Sequence, residues 1–186
     1  IKEIESWNTN FIAKNDIKKL LKQYSFKPKE FLGLKNKKFY IMGILNITSD
    51  SFSKASNNIL SKEEAIKKAL MMYEDGASII DIGGESTRPG AMKVTTEEEQ
   101  KRVIPIIKEL SKFNIPISCD TRNSSTMQAA IDEGATIIND ISALSDDKAA
   151  DIISKNNSGL IMMHMQGQPT NMQNKPVYKN VSFEIK

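Results

Sequence analysis

The sequence contains one cysteine, one histidine and one tryptophan among 186 residues, and aromatic residues make up only 6%. The single cysteine, Cys119, excludes an intrachain disulfide and is typical of a reducing compartment, so we expect a cytoplasmic protein. One histidine and no Cys-x-x-Cys pair exclude the spacing of a tight zinc site. No apolar run approaches the roughly 20 residues that cross a bilayer, so no membrane association is expected.

Arginine is missing from the first 40 residues, which hold ten lysines and four acidic residues. This segment has a net charge of +6, and the remaining residues carry −3 within a total of +3. A solvated lysine-rich leader explains the asymmetry better than a nucleic-acid patch, because no RNA- or DNA-binding motif accompanies the lysines. We predict a leader or linker over residues 1–28, a folded region over 29–186, and no nucleic-acid partner.

Glycine is absent between Gly43 and Gly76, so the first strand lacks the glycine-rich phosphate loop of an open doubly wound sheet. That strand is the apolar run from Ile41 to Asn46, which is short and typical of a parallel sheet. Four similar runs follow with helical patterns between them, which predicts right-handed βαβ units. We therefore favour a (β/α)8 TIM barrel, here about the first five β/α units plus an N-terminal hairpin, over the open sheet. The four later strands are predicted at Ser78–Ile82, Ile115–Cys119, Thr136–Ile138 and Gly159–Met163.

Local signals mark the beginnings of two helices and the hairpin. Ser61 followed by Glu64 is a capping box, and Thr96 is expected to cap the next helix. In the hairpin, Phe31–Leu34 is expected to pair with the chain from Phe39 onward.

Two segments are nearly the same, Asp75-Gly-Ala-Ser-Ile-Ile-Asp81 and Glu133-Gly-Ala-Thr-Ile-Ile-Asn139. In each, a helix is predicted to end at glycine before a strand that delivers a polar side chain. The near-repeat supports one β/α unit used more than once.

Polar side chains close all five predicted strands, at Asn46, Asp81, Asp120, Asn139 with Asp140, and His164. In a β/α barrel these ends meet on the face that carries the active site. Taken singly, each is equally explained as a turn former or helix cap, and His164 as a satisfied core group. Their coincidence at five strand ends favours a site of carboxylates and amides, which suits Mg²⁺ and a heterocycle. Cys119 is interpreted as a small buried filler.

The segment Gly83-Gly-Glu-Ser-Thr-Arg-Pro-Gly90 is the most informative loop. Its glycines permit close backbone approach, and Arg88 offers a planar fork for phosphate or carboxylate. The loop is expected to be an active-site lid, with a mobile surface loop as the alternative.

Five segments carry a further signal, in the order Met42–Ser53, Asp81–Gly90, Asp120–Thr121, Ile138–Ile141 and Met163–Gly167, with Pro169, Met172 and Gln173. In these segments, across about residues 38–175, the sequence resembles the dihydropteroate synthase family of pterin-binding barrels. Ser49 stands where the family usually has Pro, and residues 54–57 where it usually has Asp-Gly-Gly. The family's later motifs, an Asp-Pro-Gly strand end, a Ser-Arg-Lys loop and an Arg-x-His pair, have no counterpart.

This resemblance implies a transferase of folate biosynthesis that is a target of sulfonamides. The reaction joins 6-hydroxymethyl-7,8-dihydropterin diphosphate to p-aminobenzoate and releases pyrophosphate, with Mg²⁺ as cofactor. It also implies a homodimer for the complete barrel. The lysine-rich leader could be a linker from another folate-pathway domain, which makes a fusion possible.

By the same resemblance, Asp120 is the catalytic residue, which binds the pterin and stabilises positive charge on it. Asn46 is implied as the ligand for Mg²⁺–pyrophosphate. The other substrate-binding residues implied are Asp81, Thr87, Arg88 and Asn139.

Two other functions fit part of the pattern. A related barrel that transfers methyl groups from methyltetrahydrofolate to a corrinoid is disfavoured by the long Glu85–Gly90 loop. A shortened chain could also serve as a binding module without turnover, because an open barrel leaves an incomplete pocket.

Overall fold

The computed structural model describes residues 30–31, 34–35, 39–47, 61–85, 94–167 and 171–185. The chain divides into two units, Ile1–Asn36 and Lys37–Lys186, which are described separately. No helix among the described residues is long and apolar enough to cross a membrane. The proposed leader boundary after residue 28 lies outside the described residues.

In the first unit, a short antiparallel hairpin joins β1 (Glu30–Phe31) to β2 (Leu34–Lys35). A hairpin is present, but both of its strands differ from the prediction. Phe31 and Leu34 were predicted in one strand and instead pair with each other, and the backbone from Phe39 to Ile41 is not part of a strand.

In the described part of the second unit, five parallel strands neighbour one another in chain order. One α-helix follows each of the first four strands, and a 3₁₀ turn (Ser111–Phe113) extends the second helix. An open doubly wound sheet reverses its strand order at a switch point, whereas this unbroken order is that of consecutive barrel units. The predicted barrel class is thus confirmed for five β/α units. The strands are β3 (Met42–Asn46), β4 (Ile79–Gly83), β5 (Ile117–Asp120), β6 (Ile137–Asp140) and β7 (Gly159–Met162). The helices are α1 (Lys62–Glu74), α2 (Thr96–Leu110), α3 (Ser124–Asp132), α4 (Ala149–Lys155) and α5 (Val181–Glu184).

Helix α1 begins at the predicted capping box. The Glu64 amide donates to Ser61 Oγ at 3.2 Å, and the Ser61 amide donates to Glu64 Oε2 at 2.9 Å. Helix α2 differs from the prediction by one residue, because Thr95 is the N-cap and accepts from the Glu98 amide at 3.3 Å. Thr96 is instead the first helical residue.

The near-repeat has the same backbone in both copies. Gly76 follows α1 with φ of +110°, and Gly134 follows α3 with φ of +111°. A residue with a Cβ rarely adopts this conformation, so glycine is needed at both positions to turn the chain from the helix into the next strand.

One hydrophobic core lies between the sheet and its helices. Along each strand, alternate side chains point to this core, including Ile80, Ile82, Ile117, Cys119 and Ile138, none of which is exposed. The interpretation of Cys119 as a buried filler is confirmed. The residues between them, which include the predicted site residues Asn46, Asp81, Asp120 and Asn139, lie on the opposite face of the sheet.

Candidate functional site

Four residues form one row across the sheet at its carboxyl end. Asn46 pairs in register with Gly83, Gly83 with Asp120, and Asp120 with Asn139. Three of these were predicted from sequence as strand-end side chains, and the structure brings them together. Asp81 lies two residues before Gly83 on β4, one step deeper on the same face.

Gly83 is a gap in this row. A Cβ at Gly83 would lie 3.2 Å from Asn46 Oδ1 and 3.4 Å from Asp120 Oδ2. The two oxygens thus flank the same point, and the missing side chain leaves space there. A ligand that enters this space can contact the amide and the carboxylate together.

Asp81 is hydrogen-bonded to Asn139 over the intervening strand β5. Asn139 Nδ2 donates to Asp81 Oδ2 at 3.1 Å. Asp81 is only 3% exposed, and among the described residues its second oxygen, Oδ1, has no hydrogen-bond partner. Burial raises the pKa of Asp81, and the neighbouring Ser118 hydroxyl and the Asn139 amide oppose that rise. A buried carboxylate oxygen without a partner is costly, so this position favours a ligand that donates N–H groups.

Asp120 has the most perturbed environment of the row. Burial raises its pKa to about 7, and the carboxylates of Asp81, Glu99, Asp140 and Glu85 add to the rise. The ionised form is therefore destabilised by burial and by negative neighbours at once. Such a carboxylate gains more than an exposed one from a positively charged ligand.

Asp140 does not belong to the site, although the sequence predicted it there beside Asn139. Successive strand residues face opposite sides, so only Asn139 faces the row. Asp140 is fully buried, and its carboxylate accepts from the backbone amides of Ser142 and Leu144, each at 2.7 Å. These bonds hold the turn in which Ala143 and Leu144 adopt positive φ of 53° and 62°.

The structure decides against one of the two interpretations of His164 that the sequence allowed. Strand β7 ends at Met162, so His164 lies beyond the strand end. It is exposed, which rules out a core position, and its Nε2 lies 2.9 Å from the Tyr178 hydroxyl. His164 instead lines a cavity of about 320 Å³, together with Arg122 and Ser142 among others.

Sequence reasoning missed two charged groups near the row. Arg122 forms a two-pronged ion pair with Glu85, and Glu99 is a buried carboxylate that is 1% exposed. Arg122 follows Asp120 by two residues, which was a signal for a site position. Glu99 lies four residues before Val103, on the apolar stripe of α2, which signals burial.

Glu99 is held by the beginning of α3. Its Oε2 accepts from Thr126 Oγ1 at 2.7 Å and from Asn123 Nδ2 at 2.8 Å. Its Oε1 has no partner among the described residues. Glu99 is therefore a packing group of the helix layer that also acts on Asp120 through its charge.

Thr87 and Arg88 lie outside the described residues, as does the segment with Ser49 and residues 54–57. Within the described ranges, no group of three or more His, Cys, Asp or Glu side chains could hold a metal ion. The roles of Thr87 and Arg88, and the use of Mg²⁺, stay predictions.

The strand-end row and the parallel β/α units define the class of protein, a β/α barrel whose candidate site lies at the carboxyl ends of its strands. The family described as pterin binding enzyme matches residues 42–186, and the chain belongs to this family. It is similar to the dihydropteroate synthase of Escherichia coli K12, with 44% identity over 147 residues, covering 78% of this chain and 52% of the relative.

Solved dihydropteroate synthases have the same fold. The Yersinia pestis enzyme, in a sulfonamide drug complex, is 42% identical with a TM-score of 0.71, covering 78% of this chain and 53% of that chain. The Burkholderia cenocepacia enzyme, complexed with 7,8-dihydropteroate, is 40% identical with a TM-score of 0.69, covering 82% of this chain and 51% of that chain. The chain spans about half the length of the relatives it matches.

Proposed function

We propose that the full-length protein is a dihydropteroate synthase. It would join 6-hydroxymethyl-7,8-dihydropterin diphosphate to p-aminobenzoate and release pyrophosphate. The observation that carries this proposal is the strand-end row of a pterin-binding family member together with Asp81 beneath it. Burial raises the pKa of Asp120 to about 7, and Asp81 Oδ1 has no hydrogen-bond partner among the described residues.

The row suits the edge of a pterin ring, which presents several N–H donors close together. Asp81 Oδ1, which has no hydrogen-bond partner within the described ranges, would accept one of them. The Asn139 amide is already oriented by Asp81, so its oxygen is available to accept from the ring. These contacts select a heterocycle with adjacent donors over one that presents only acceptors.

Asp120 would act on the reacting carbon through charge. As the diphosphate leaves, positive charge develops on the pterin, and an ionised Asp120 beside it stabilises that charge. Since burial and negative neighbours destabilise the free anion, the gain in the transition state is larger than at an exposed carboxylate. No protein nucleophile is needed, because p-aminobenzoate supplies the attacking amine.

Asn46 is expected to meet the diphosphate and Mg²⁺. It offers one amide oxygen at the edge of the gap at Gly83. A single neutral ligand fits Mg²⁺, which keeps waters and takes other ligands from phosphate oxygens. When bound, the ion would offset negative charge on the leaving diphosphate.

The remaining expectations belong to the same proposal. Thr87 and Arg88 are assigned to substrate binding, and sulfonamides are expected to inhibit by occupying the p-aminobenzoate site. A homodimer, a cytoplasmic location and fusion to another folate-pathway domain stay predictions.

The test is an assay of the full-length protein with both substrates. We expect pyrophosphate release that depends on p-aminobenzoate, stops with a chelator and resumes with Mg²⁺. Asp120→Asn should lower turnover at least about a hundredfold, since oriented electrostatic groups contribute on this scale. A folded protein that releases no pyrophosphate would refute the proposal, and methyl transfer to a corrinoid would replace it.

A further inference from the structure

We propose that Ser118 is a positioning residue that sets which hydrogen-bonding atoms the site presents to its ligand. By donating to Asp81, its hydroxyl holds that carboxylate as an acceptor and so turns the Asn139 amide oxygen towards the ligand. This inference rests on the proposed function for the identity of the ligand. Ser118 itself would not touch the reacting atoms.

Ser118 lies beside Asp81 in a lower row of residues, one step beneath the strand-end row. The register of the sheet places Asp81 between Ile44 of β3 and Ser118 of β5. Ile137 of β6 follows on the far side of Ser118. These four positions share the face of the site, because each lies two residues before a member of the strand-end row. Within the lower row, Asp81 therefore has one apolar neighbour, Ile44, and one polar neighbour, Ser118.

Two buried polar atoms lie side by side at this point. Ser118 is 0% exposed and Asp81 is 3% exposed. Among the described residues, neither Ser118 Oγ nor Asp81 Oδ1 has a hydrogen-bond partner. The hydroxyl is close enough to lower the pKa of Asp81, against the larger rise that burial causes. A buried hydroxyl without a bond is costly, so a serine at this position is explained by its action on the neighbouring carboxylate.

The hydroxyl can serve the carboxylate without taking the place of a ligand. A change of rotamer about the Ser118 Cα–Cβ bond would turn its oxygen towards Asp81 Oδ1. A carboxylate oxygen has two lone pairs, so Oδ1 can accept from the hydroxyl and from a ligand N–H together. Donation to the ionised form favours that form, whereas burial alone favours the protonated one. Ser118 thereby keeps Asp81 an acceptor.

Asn139 carries this choice up to the strand-end row. Its Nδ2 donates to Asp81 Oδ2 at 3.1 Å, which uses that carboxylate oxygen as an acceptor. With the amide nitrogen occupied, the amide oxygen is the atom that faces the ligand. A protonated Asp81 could donate through Oδ2 and favour the opposite orientation of the amide. An ionised Asp81 and the Asn139 oxygen together select a ligand edge with adjacent N–H groups.

The test compares Ser118→Ala, which removes the hydroxyl, with Ser118→Thr, which keeps a hydroxyl on the same carbon. Ser124→Ala is the matched control. Ser124 is also a buried serine whose hydroxyl acts on a carboxylate, that of Asp146, but it lies at the start of α3 outside both rows. All variants are made in the full-length protein and checked for a cooperative melting transition. If Ser118→Thr does not fold, Ser118→Cys, whose thiol is a weaker donor, takes its place.

The first readouts use the protein without ligand. The pKa of Asp81, followed through the carbon-13 resonance of its carboxyl group, should rise further in Ser118→Ala, because the opposing hydroxyl is gone. Hydrogen exchange of the Asn139 side-chain NH2 should accelerate about threefold or more, since its acceptor is held less well. Ser118→Thr should return both values towards those of the parent, and Ser124→Ala should match the parent.

The second readout is ligand selectivity. Calorimetry compares 6-hydroxymethyl-7,8-dihydropterin with its analogue that has hydrogen in place of the 2-amino group. The parent should bind the pterin about tenfold or more tightly than the analogue, which leaves a buried acceptor unpaired. In Ser118→Ala this ratio should fall about fivefold, through weaker binding of the pterin. A merely structural loss would weaken both ligands alike and leave the ratio unchanged.

The two hypotheses fail in different ways. If no protein binds the pterin but the pKa of Asp81 rises only in Ser118→Ala, the positioning role stands and the proposed function fails. If Asp81 titrates in Ser118→Ala as in the parent, or if Ser118→Ala loses affinity for both ligands equally, the positioning role of Ser118 is refuted.

Discussion

Asp120 should destabilise the fold at neutral pH, and replacing it should make the protein more stable. Burial and four neighbouring carboxylates raise its pKa from 3.8 to about 7. The folded state therefore binds a proton more tightly than the unfolded state. The contribution of Asp120 to stability is therefore greatest when the pH is below the pKa of its side chain in the unfolded state. This contribution is lost as the pH rises towards the pKa of the side chain in the folded state.

The magnitude follows from the difference in pKa. About 1.36 kcal/mol per pKa unit gives roughly 4 kcal/mol as an upper limit, from the shift of 3.8 to about 7. Asp120→Asn keeps the shape and removes the charge, so it should recover up to this amount above about pH 7.5. Near pH 3, below the pKa of 3.8 in the unfolded state, the parent side chain is mostly protonated in both states, and the variant should gain little.

The assay is denaturant unfolding of the full-length protein across this pH range. Asp147→Asn is the control, because Asp147 is exposed and also loses one negative charge. The same Asp120→Asn protein should have lost most of its pterin-dependent turnover, so stability and activity should change in opposite directions. Two results would contradict the origin assigned to the pKa shift. One is a gain in the free energy of unfolding of Asp120→Asn that is equal at low and high pH, and the other is the same gain in Asp147→Asn.

The other predictions concern the deeper carboxylate and the two glycines at the end of β4. Asp81→Asn should weaken pterin diphosphate binding about tenfold or more by calorimetry, because a charge-assisted acceptor is lost; unchanged affinity would remove Asp81 from the site. Gly83→Ala should lower kcat/KM with little loss of stability, because its Cβ enters the gap between side-chain oxygens 3.2 and 3.4 Å away. Gly84→Ala should instead lower the free energy of unfolding by about 1–3 kcal/mol, because its Cβ would lie 2.9 Å from Val103 Cγ1 and 3.1 Å from the Glu99 carbonyl oxygen. Equal effects of the two glycine variants on stability would contradict this division.

The sequence by itself determined the order of the elements and which polar residues lie at or near the strand ends. Ser61 and Glu64 could be identified as a cap because their bonds close within one turn of helix. Asp81 and Asn139 could be recognised as equivalent positions of two β/α units, because they end the two copies of a near-repeat. These features depend on neighbours in the chain, so a local pattern carries them.

Directions of side chains were less well determined. Asn139 and Asp140 both looked like site residues, but adjacent strand positions face opposite sides, and only one could face the row. His164 was placed by assuming that β7 extended beyond Met162. A shift of one or two residues at a strand end is enough to change what a side chain meets.

Only the tertiary structure decided the electrostatics of the site. The carboxylates that raise the pKa of Asp120 come from β4, the exit of β4, α2 and β6. The fork between Glu85 and Arg122 joins residues 37 positions apart. Coulomb energy and desolvation depend on distance through space and on burial, which no spacing along the chain records.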